Sequence, residues 1–338
     1  MVSPSALRFI VAGKLQRDYI LPVTGKEALD VPGGSLLYAA FGLKLWESQV
    51  GLIGRVGEDY PQDWLDNLTQ LGFDRRGIRI LPKAVDLRFF AAYPDADTRS
   101  LSNPVSHFAR RGLHYPKSLL GYVEPGQVLD SRITPSDITV RITDFPEDYL
   151  DATAAHIAPL DFLSHTLLPS AFRQGHITTI TLDPPASYMS PIFWDEIPGL
   201  LRGISVFHAS EEKMRALFQG RSSDLWEMAD SIASHGCELV VIKRGVQGQL
   251  LYDHAHHLRW TIPAYPARVV DPTGAGDAFC GGFLAGYRET YDPLESALRG
   301  NISASVIIEG TTPLYANDSL PSLVKMRLES LRTLVRRS

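Results

Sequence analysis

Short apolar runs recur along the chain, and segments with the period of amphipathic helices separate them. The runs occupy residues 7–12, 50–53, 177–182, 204–208 and 239–243. Their length and the Gly, Pro and Asp residues that bound them are typical of buried strands. Strands that alternate with helices predict an α/β fold, with a central, mostly parallel sheet and helices on both faces. We expect residues 1–338 to form one such domain.

Polar residues and glycines follow many of these apolar runs. They are Asp18, Gly33, Asp183, Glu211, Lys243 and the turn at 274–277. In an open parallel sheet, ligands lie outside the carboxyl ends of the strands. These residues are therefore expected to share one edge of the sheet and to form a binding site there.

The segment 269–287 carries the most specific chemistry. Its apolar run ends at Asp271, a Pro- and Gly-rich turn follows, and the rest is small and apolar with helical character. N–H groups at the start of a helix, aided by the helix dipole, favour an anion. Asp277 or Thr273 could simply cap this helix. A carboxylate beside a bound phosphate could also accept the proton of an attacking hydroxyl.

Two common glycine motifs do not fit this segment. A dinucleotide-binding fingerprint needs a third glycine where the chain has Phe279, and the chain has no Gly-Lys-Ser/Thr sequence of a P-loop. Instead, Asp-Pro-Thr-Gly-Ala-Gly-Asp-Ala-Phe at 271–279 and Gly-Gly-Phe at 281–283 closely resemble the C-terminal signature of the ribokinase-like (PfkB) carbohydrate kinases.

This resemblance implies a fold, an activity and a set of roles. The fold would be ribokinase-like, with a small β lid formed from about residues 14–32 and 88–144. The activity would be ATP-dependent phosphorylation of a hydroxyl on a sugar or sugar-like small molecule. Asp277 would be the general base, and an anion hole would be formed by Gly274, Ala275 and Gly276.

The resemblance also implies an acceptor site near the N-terminus. Gly33 and Gly34 resemble the family's glycine pair, which lets a sugar approach the backbone, and Asp18 lies where the family grips substrate hydroxyls. A flexible turn and a solvated Asp are the plain alternatives. Tyr38 stands where the family often has Asn, so a nucleoside or a vitamin-like alcohol is an alternative acceptor.

A nucleotide site is expected after the run at 239–243. Lys243, Gly245 and Gly248 match the family's strand-end turn near the nucleotide, and Thr273 is assigned to the same site. An ordinary hairpin turn explains the two glycines equally well.

The family's magnesium element is altered in this chain. Family members usually carry Asn-x-x-Glu where this chain has Ser210-Glu211-Glu212-Lys213. The resemblance implies Mg²⁺ with the ATP, and Glu211 or Glu212 would then act through water. Alternatively, both are ordinary glutamates of a first helical turn, or the protein binds a carbohydrate or nucleotide without catalysis. Asp271 corresponds to a position where some relatives hold K⁺.

Composition narrows the remaining choices. The 338 residues are 44% hydrophobic and 21% charged, which is ordinary for a globular protein. A net charge of −5 gives no reason to expect nucleic acid or a membrane as partner. Two cysteines and an N-terminus without a signal-like pattern predict a cytoplasmic protein. The expected partner is a sugar-like small molecule, and the resemblance leaves a homodimer open.

Overall fold

The computed structural model describes residues 7–124 and 129–337, and a ten-stranded sheet forms its centre. In order across the sheet, its strands are β13 (Arg336–Arg337), β12 (Leu258–Ile262), β11 (Gln249–Asp253), β10 (Leu239–Lys243), β9 (Val206–Ser210), β8 (Thr179–Leu182), β7 (Ala154–Ile157), β1 (Phe9–Ala12), β4 (Val50–Gly57) and β5 (Asp74–Leu81). The seven strands from β10 to β5 are parallel, whereas β11, β12 and β13 pair antiparallel. The sheet is therefore mostly parallel, as predicted.

Helices cover both faces of this sheet, as the sequence pattern predicts. The helices on one face are α1 (Ser35–Lys44), α2 (Gln62–Gln70), α8 (Ala275–Thr290), α9 (Pro293–Ile307) and α10 (Pro321–Arg332). Those on the other are α4 (Phe162–Arg173), α5 (Ile197–Leu201), α6 (Glu211–Leu217) and α7 (Leu225–Ala233). Along β1, Phe9 and Val11 join the first core and Ile10 and Ala12 the second, because successive side chains of a strand point to opposite faces.

A separate sheet of three strands lies over the carboxyl edge of the large sheet. It consists of β2 (Gln16–Leu21), flanked by β3 (Ala28–Gly33) and β6 (Arg88–Ala92). One of its faces buries Tyr19 and Phe90 together with Phe108 of α3 (Pro104–Arg110). The helix α3, which belongs to the second lid segment, thus covers one face of the lid. The opposite face carries another apolar cluster, which contains Ile20 and Ala91.

The last part of the second predicted lid segment contacts the large sheet directly. The buried Arg55 of β4 donates hydrogen bonds of 3.0 Å to the carbonyls of Asp137 and Thr139 and lies 3.3 Å from the Asp144 carboxylate. These contacts hold 137–144 against the large sheet. Residues 125–128 of the predicted lid lie outside the described residues, as do 1–6 of the N-terminus. No helix within the two described ranges is long and apolar enough to cross a membrane.

Candidate active site

The start of α8 forms a backbone turn where the sequence predicts an anion hole, but the N–H of Ala275, one of the predicted residues, already donates to the Pro272 carbonyl at 3.3 Å. Gly274 precedes the helix with φ 73°, and no side chain caps the helix, so the capping alternatives for Thr273 and Asp277 are wrong. The first helical hydrogen bond runs from the Ala278 N–H to the Gly274 carbonyl. The N–H groups of Gly276 and Asp277 have no hydrogen-bond acceptor in the described part of the chain. Two free donors and the helix dipole thus point at one place.

Asp277 is half-buried in the first turn of α8. Burial raises the pKa of its carboxyl group to about 7, and the negative charge of Asp183 acts in the same direction. The ammonium groups of Lys243 and Lys213 oppose this rise. A carboxylate with a pKa near neutrality is well suited to exchange a proton with a substrate.

A cavity of about 510 Å³ opens beside this turn. Its lining brings together the residues assigned to the nucleotide, Lys243, Gly245 and Gly248, with Gly276 of the anion turn. A Cβ on Gly248 would lie 2.0 Å from the Ile262 carbonyl oxygen, so this close approach requires glycine. The cavity has the size of small-molecule sites in proteins and mostly apolar walls.

Asp18 lies in a second recess, at the junction of the lid and α1. Its side chain is buried, and a Cβ on Gly33 would lie 1.8 Å from its Oδ2 atom. Neither carboxylate oxygen makes a hydrogen bond of ordinary geometry in the described residues, although Gly34 and Tyr38 lie close enough to favour its charged form. Burial raises the pKa of Asp18 well above its usual range, and the charge of Asp271 adds to the effect.

The residues at the back of the phosphate turn form a chain of ion pairs. Asp183 follows β8 and is buried. Its Oδ1 atom accepts a hydrogen bond of 3.0 Å from Lys213, and its Oδ2 atom accepts one from Lys243. Lys243 also donates to the Gly276 carbonyl at 3.2 Å. The two ammonium groups hold the pKa of Asp183 well below its usual range even though burial opposes this.

The glutamates expected near a metal lie on the first turn of α6. The Ser210 side chain caps this helix by accepting from the Lys213 N–H. The Glu211 carboxylate lies 2.7 Å from Arg215 and 2.8 Å from Arg244, and Glu212 is exposed. In the two described ranges, no group of three or more His, Cys, Asp or Glu residues could hold a metal ion.

Asp271 and Thr273 face the lid rather than the cavity. The Asp271 Oδ1 atom accepts from the Thr273 N–H at 2.9 Å, and burial raises the pKa of Asp271 to about 6. The Thr273 hydroxyl donates to the Tyr93 hydroxyl at 3.0 Å, just beyond β6. This hydrogen bond of Thr273 therefore connects the anion turn to the lid. The contact of Thr273 with a nucleotide stays a prediction. The monovalent cation at Asp271 stays a prediction as well.

A buried histidine lies under the first turns of α8. The His208 ring of β9 packs 4.9 Å from the Phe283 ring and 6.0 Å from the Phe279 ring, centre to centre. Neither of its ring nitrogens has a hydrogen-bond partner in the described residues, and burial lowers its pKa well below the ordinary value. The helix that carries Asp277 thus rests on a neutral imidazole.

The structure brings most of the predicted site residues to one edge. Asp18, Gly33 and Gly34 form the recess, Gly274–Asp277 form the anion turn, and the β10 turn lines the cavity. Two residues to which sequence reasoning gave no role also lie at the site, namely Lys213 and Tyr93, while Asp183, which was expected at this edge, is the partner of Lys213. For Lys213 the signal was present, because it stands where the family has Glu. The Tyr93–Thr273 contact joins distant positions and leaves no local pattern.

The chain is similar to known kinases over nearly its whole length. The sequence model described as pfkB family carbohydrate kinase matches residues 164–319. A relative named cytidine kinase, from Thermococcus kodakarensis, is 28% identical over 294 residues, which cover 87% of this chain and 92% of the relative.

Solved structures agree on the fold. A putative ribokinase II from E. coli, in complex with ATP and Mg²⁺, superposes with a TM-score of 0.69 at 19% identity, over 96% of this chain and 99% of that one. A nucleoside kinase from Burkholderia thailandensis, in complex with inosine, gives a TM-score of 0.68 at 20% identity, over 98% and 100%. The ribokinase-like fold is confirmed.

These likenesses and the signature at 271–283 show that the chain is similar to the pfkB family of carbohydrate kinases. The protein is a kinase, and the family that it resembles uses ATP to phosphorylate small-molecule alcohols.

Proposed function

We propose that this kinase transfers the γ-phosphoryl group of ATP to a hydroxyl of a sugar or sugar-like small molecule, with Asp277 as the general base. One observation carries the proposal. Asp277, with its pKa raised to about 7, stands at a turn with free N–H donors, beside both the cavity and the charge of Asp18. A base, an anion site and a polar recess are the parts that phosphoryl transfer requires.

The proposed reaction needs little covalent chemistry from the protein. The acceptor hydroxyl attacks the γ-phosphorus, the bond from that phosphorus to the β–γ bridging oxygen breaks, ADP leaves, and the hydroxyl proton passes to Asp277. The N–H groups of Gly276 and Asp277 would stabilise charge on the transferring oxygens, and the bare backbone of Gly274 would allow their close approach. In the cavity, ATP would extend from the apolar walls towards Lys243.

Asp18 would bind acceptor hydroxyls. Its buried carboxylate has oxygens without ordinary hydrogen bonds, and such a group is costly unless a ligand supplies the missing donors. Gly33 packs directly against this carboxylate, and any side chain at Gly33 would collide with Asp18.

A nucleoside acceptor is the second candidate. The buried Tyr38 ring borders the recess at the position where an Asn is usual, and the relative similar over 92% of its length is named cytidine kinase. If Tyr38 contacts the acceptor, Tyr38→Asn should change the preference among acceptors. An unchanged preference would remove this argument.

The test is ADP release with ATP over a panel of sugars, polyols and nucleosides. We expect one class of acceptor to stimulate ADP release. Asp277→Asn should lower kcat by about 10²–10⁴-fold, the usual contribution of a general base, while ATP binding persists. Asp318→Asn, at an exposed aspartate, is the matched control. Full turnover by Asp277→Asn would refute the base assignment.

A further inference from the structure

Lys213 occupies a position where the family resemblance leads one to expect a carboxylate. The expected Asn-x-x-Glu reads Ser210-Glu211-Glu212-Lys213 in this chain. The Lys213 side chain does not point away into solvent, because its Nζ atom lies 3.0 Å from Oδ1 of the buried Asp183. The substitution therefore puts a fixed positive charge at the edge of the phosphate site.

The paired carboxylates Asp183 and Glu211 do not fit a divalent cation held by the protein, and Glu212 is an exposed single carboxylate that belongs to no group of three possible ligands in the described residues. Both oxygens of Asp183 accept from lysines, and the Glu211 carboxylate is shared between Arg215 and Arg244. Mg²⁺ requires carboxylate oxygens with free lone pairs in near-octahedral geometry. To bind here it would have to displace ammonium or guanidinium groups, and it would meet their positive charge.

Lys243 lines the cavity proposed for the nucleotide, and Lys213 lies next to it, joined through Asp183. Lys243 reaches the Gly276 carbonyl in the anion turn, and Lys243 and Lys213 share Asp183. The positive charges of Lys243 and Lys213 both lower the pKa of Asp277, the residue that directly follows Gly276. Asp183 neutralises one of the two lysines, and the second lysine is opposed only by Asp277, to the extent that this carboxyl with a pKa of about 7 is ionised. A lysine serves as a point charge for phosphate in this way.

We propose that Lys213 is a phosphate-binding residue, which with Lys243 supplies the positive charge that a divalent cation held by the protein would otherwise supply. The inference rests on the proposed nucleotide site and deepens it. ATP should consequently bind to this protein almost as well without a divalent cation as with one.

The experiment measures ATP binding by calorimetry, once in Mg²⁺ and once in EDTA, without an acceptor. For the wild-type protein we expect the two dissociation constants to differ by about threefold or less. Loss of a hydrogen bond between charged groups costs about tenfold or more in affinity, and this is the expected effect of Lys213→Gln on metal-free ATP. Lys213→Arg should retain binding, and Lys213→Glu should make binding strongly Mg²⁺-dependent. Lys325→Gln, at an exposed lysine of α10, is the matched control.

Two results would overturn the inference. One is wild-type binding that weakens more than about tenfold in EDTA, a loss of the size expected when a charged contact is removed. The other is unchanged metal-free binding by Lys213→Gln. Thermal unfolding will show whether Lys213→Gln is folded, as expected, since Lys243 still pairs with Asp183. If Lys213→Gln is unfolded, the ratio of the two wild-type dissociation constants and the ATP binding of Lys213→Arg still test the inference. Absence of any ATP binding would refute the nucleotide site itself, whereas a missing acceptor would leave this test unaffected.

Discussion

The ring of Tyr38 lies directly against the backbone of Gly274. A Cβ atom on Gly274 would lie 2.0 Å from Cγ of this ring, and the backbone there has φ 73°. The contact joins α1, which begins at the acceptor recess, to the turn that begins α8. The geometry of the acceptor recess therefore depends on the geometry of the anion turn. Gly274 must be glycine for two reasons, the close contact with Tyr38 and the positive φ.

Gly274→Ala should consequently destabilise the protein. Left-handed backbone and forced overpacking together predict a loss of about 2–4 kcal/mol in the free energy of unfolding, with loss of phosphotransfer. Gly112→Ala is the matched control, because Gly112 also has positive φ but an added Cβ would meet nothing within 4 Å. Urea denaturation of both variants separates the clash from the backbone strain. Equal losses for the two would show that Tyr38 yields without cost.

The pH dependence of turnover should report on Asp277. Its pKa of about 7 means that the carboxyl group loses its ability to accept a proton as the pH falls below 7. We expect kcat/KM to fall about tenfold per pH unit on the acid side of 7, since this ratio reports ionisation in the free enzyme. Lys213→Gln removes a charge that lowers this pKa, so its profile should move to higher pH. Activity that is constant down to pH 5 would contradict the assignment.

Asp18→Asn should weaken binding of the acceptor and make the folded protein more stable. The buried Asp18 carboxyl has a raised pKa, so its ionisation opposes folding above the unfolded value of about 4. The neutral variant should unfold at a higher temperature at pH 7.5, and the gain should vanish near pH 4. Its KM for the acceptor should rise. In the same lid, Asp30 pairs with Arg17 at 2.7 Å, so Asp30→Asn is expected to lower the unfolding temperature instead. A gain for neither variant in calorimetric melts would show that Asp18 is not an uncompensated charge.

His208→Phe should make the protein less sensitive to acid. His208 stays neutral in the folded state, so the unfolded chain binds one more proton below about pH 6.5, and stability falls as the pH drops. Removal of this group should reduce the loss of unfolding free energy between pH 7.5 and 5.0 by about 2 kcal/mol. Phe should pack among the existing rings. His114→Phe, at an exposed histidine, is the matched control. Urea titrations at pH 7.5 and 5.0 measure this loss. An equal loss of unfolding free energy in the wild type and in His208→Phe would contradict the prediction.

The alternation of strands and helices and the glycine turn before α8 followed from the sequence alone. Apolar runs of strand length marked most of the parallel strands, because a strand that is buried on both faces is almost continuously apolar. The edge strand β5 has no such run, since its sequence contains three arginines. The signature at 271–279 was sufficient for the turn, because its conformation depends on local glycines. The same argument predicted that Asp18, Lys243 and Asp277 would meet at one edge of the sheet.

The extent of the lid and the partners of the buried charges depend on tertiary structure. Arg55 holds residues 137–144 against the large sheet, which no local pattern in that segment reveals. In the sequence, Lys213 marks only a departure from the family's magnesium element. Its contact with Asp183 is apparent only in the folded structure. Ion pairs and buried polar contacts join residues far apart in the chain, so their energies depend on distances and burial that only the folded molecule defines. Local propensity and hydrophobic period contain no information on them.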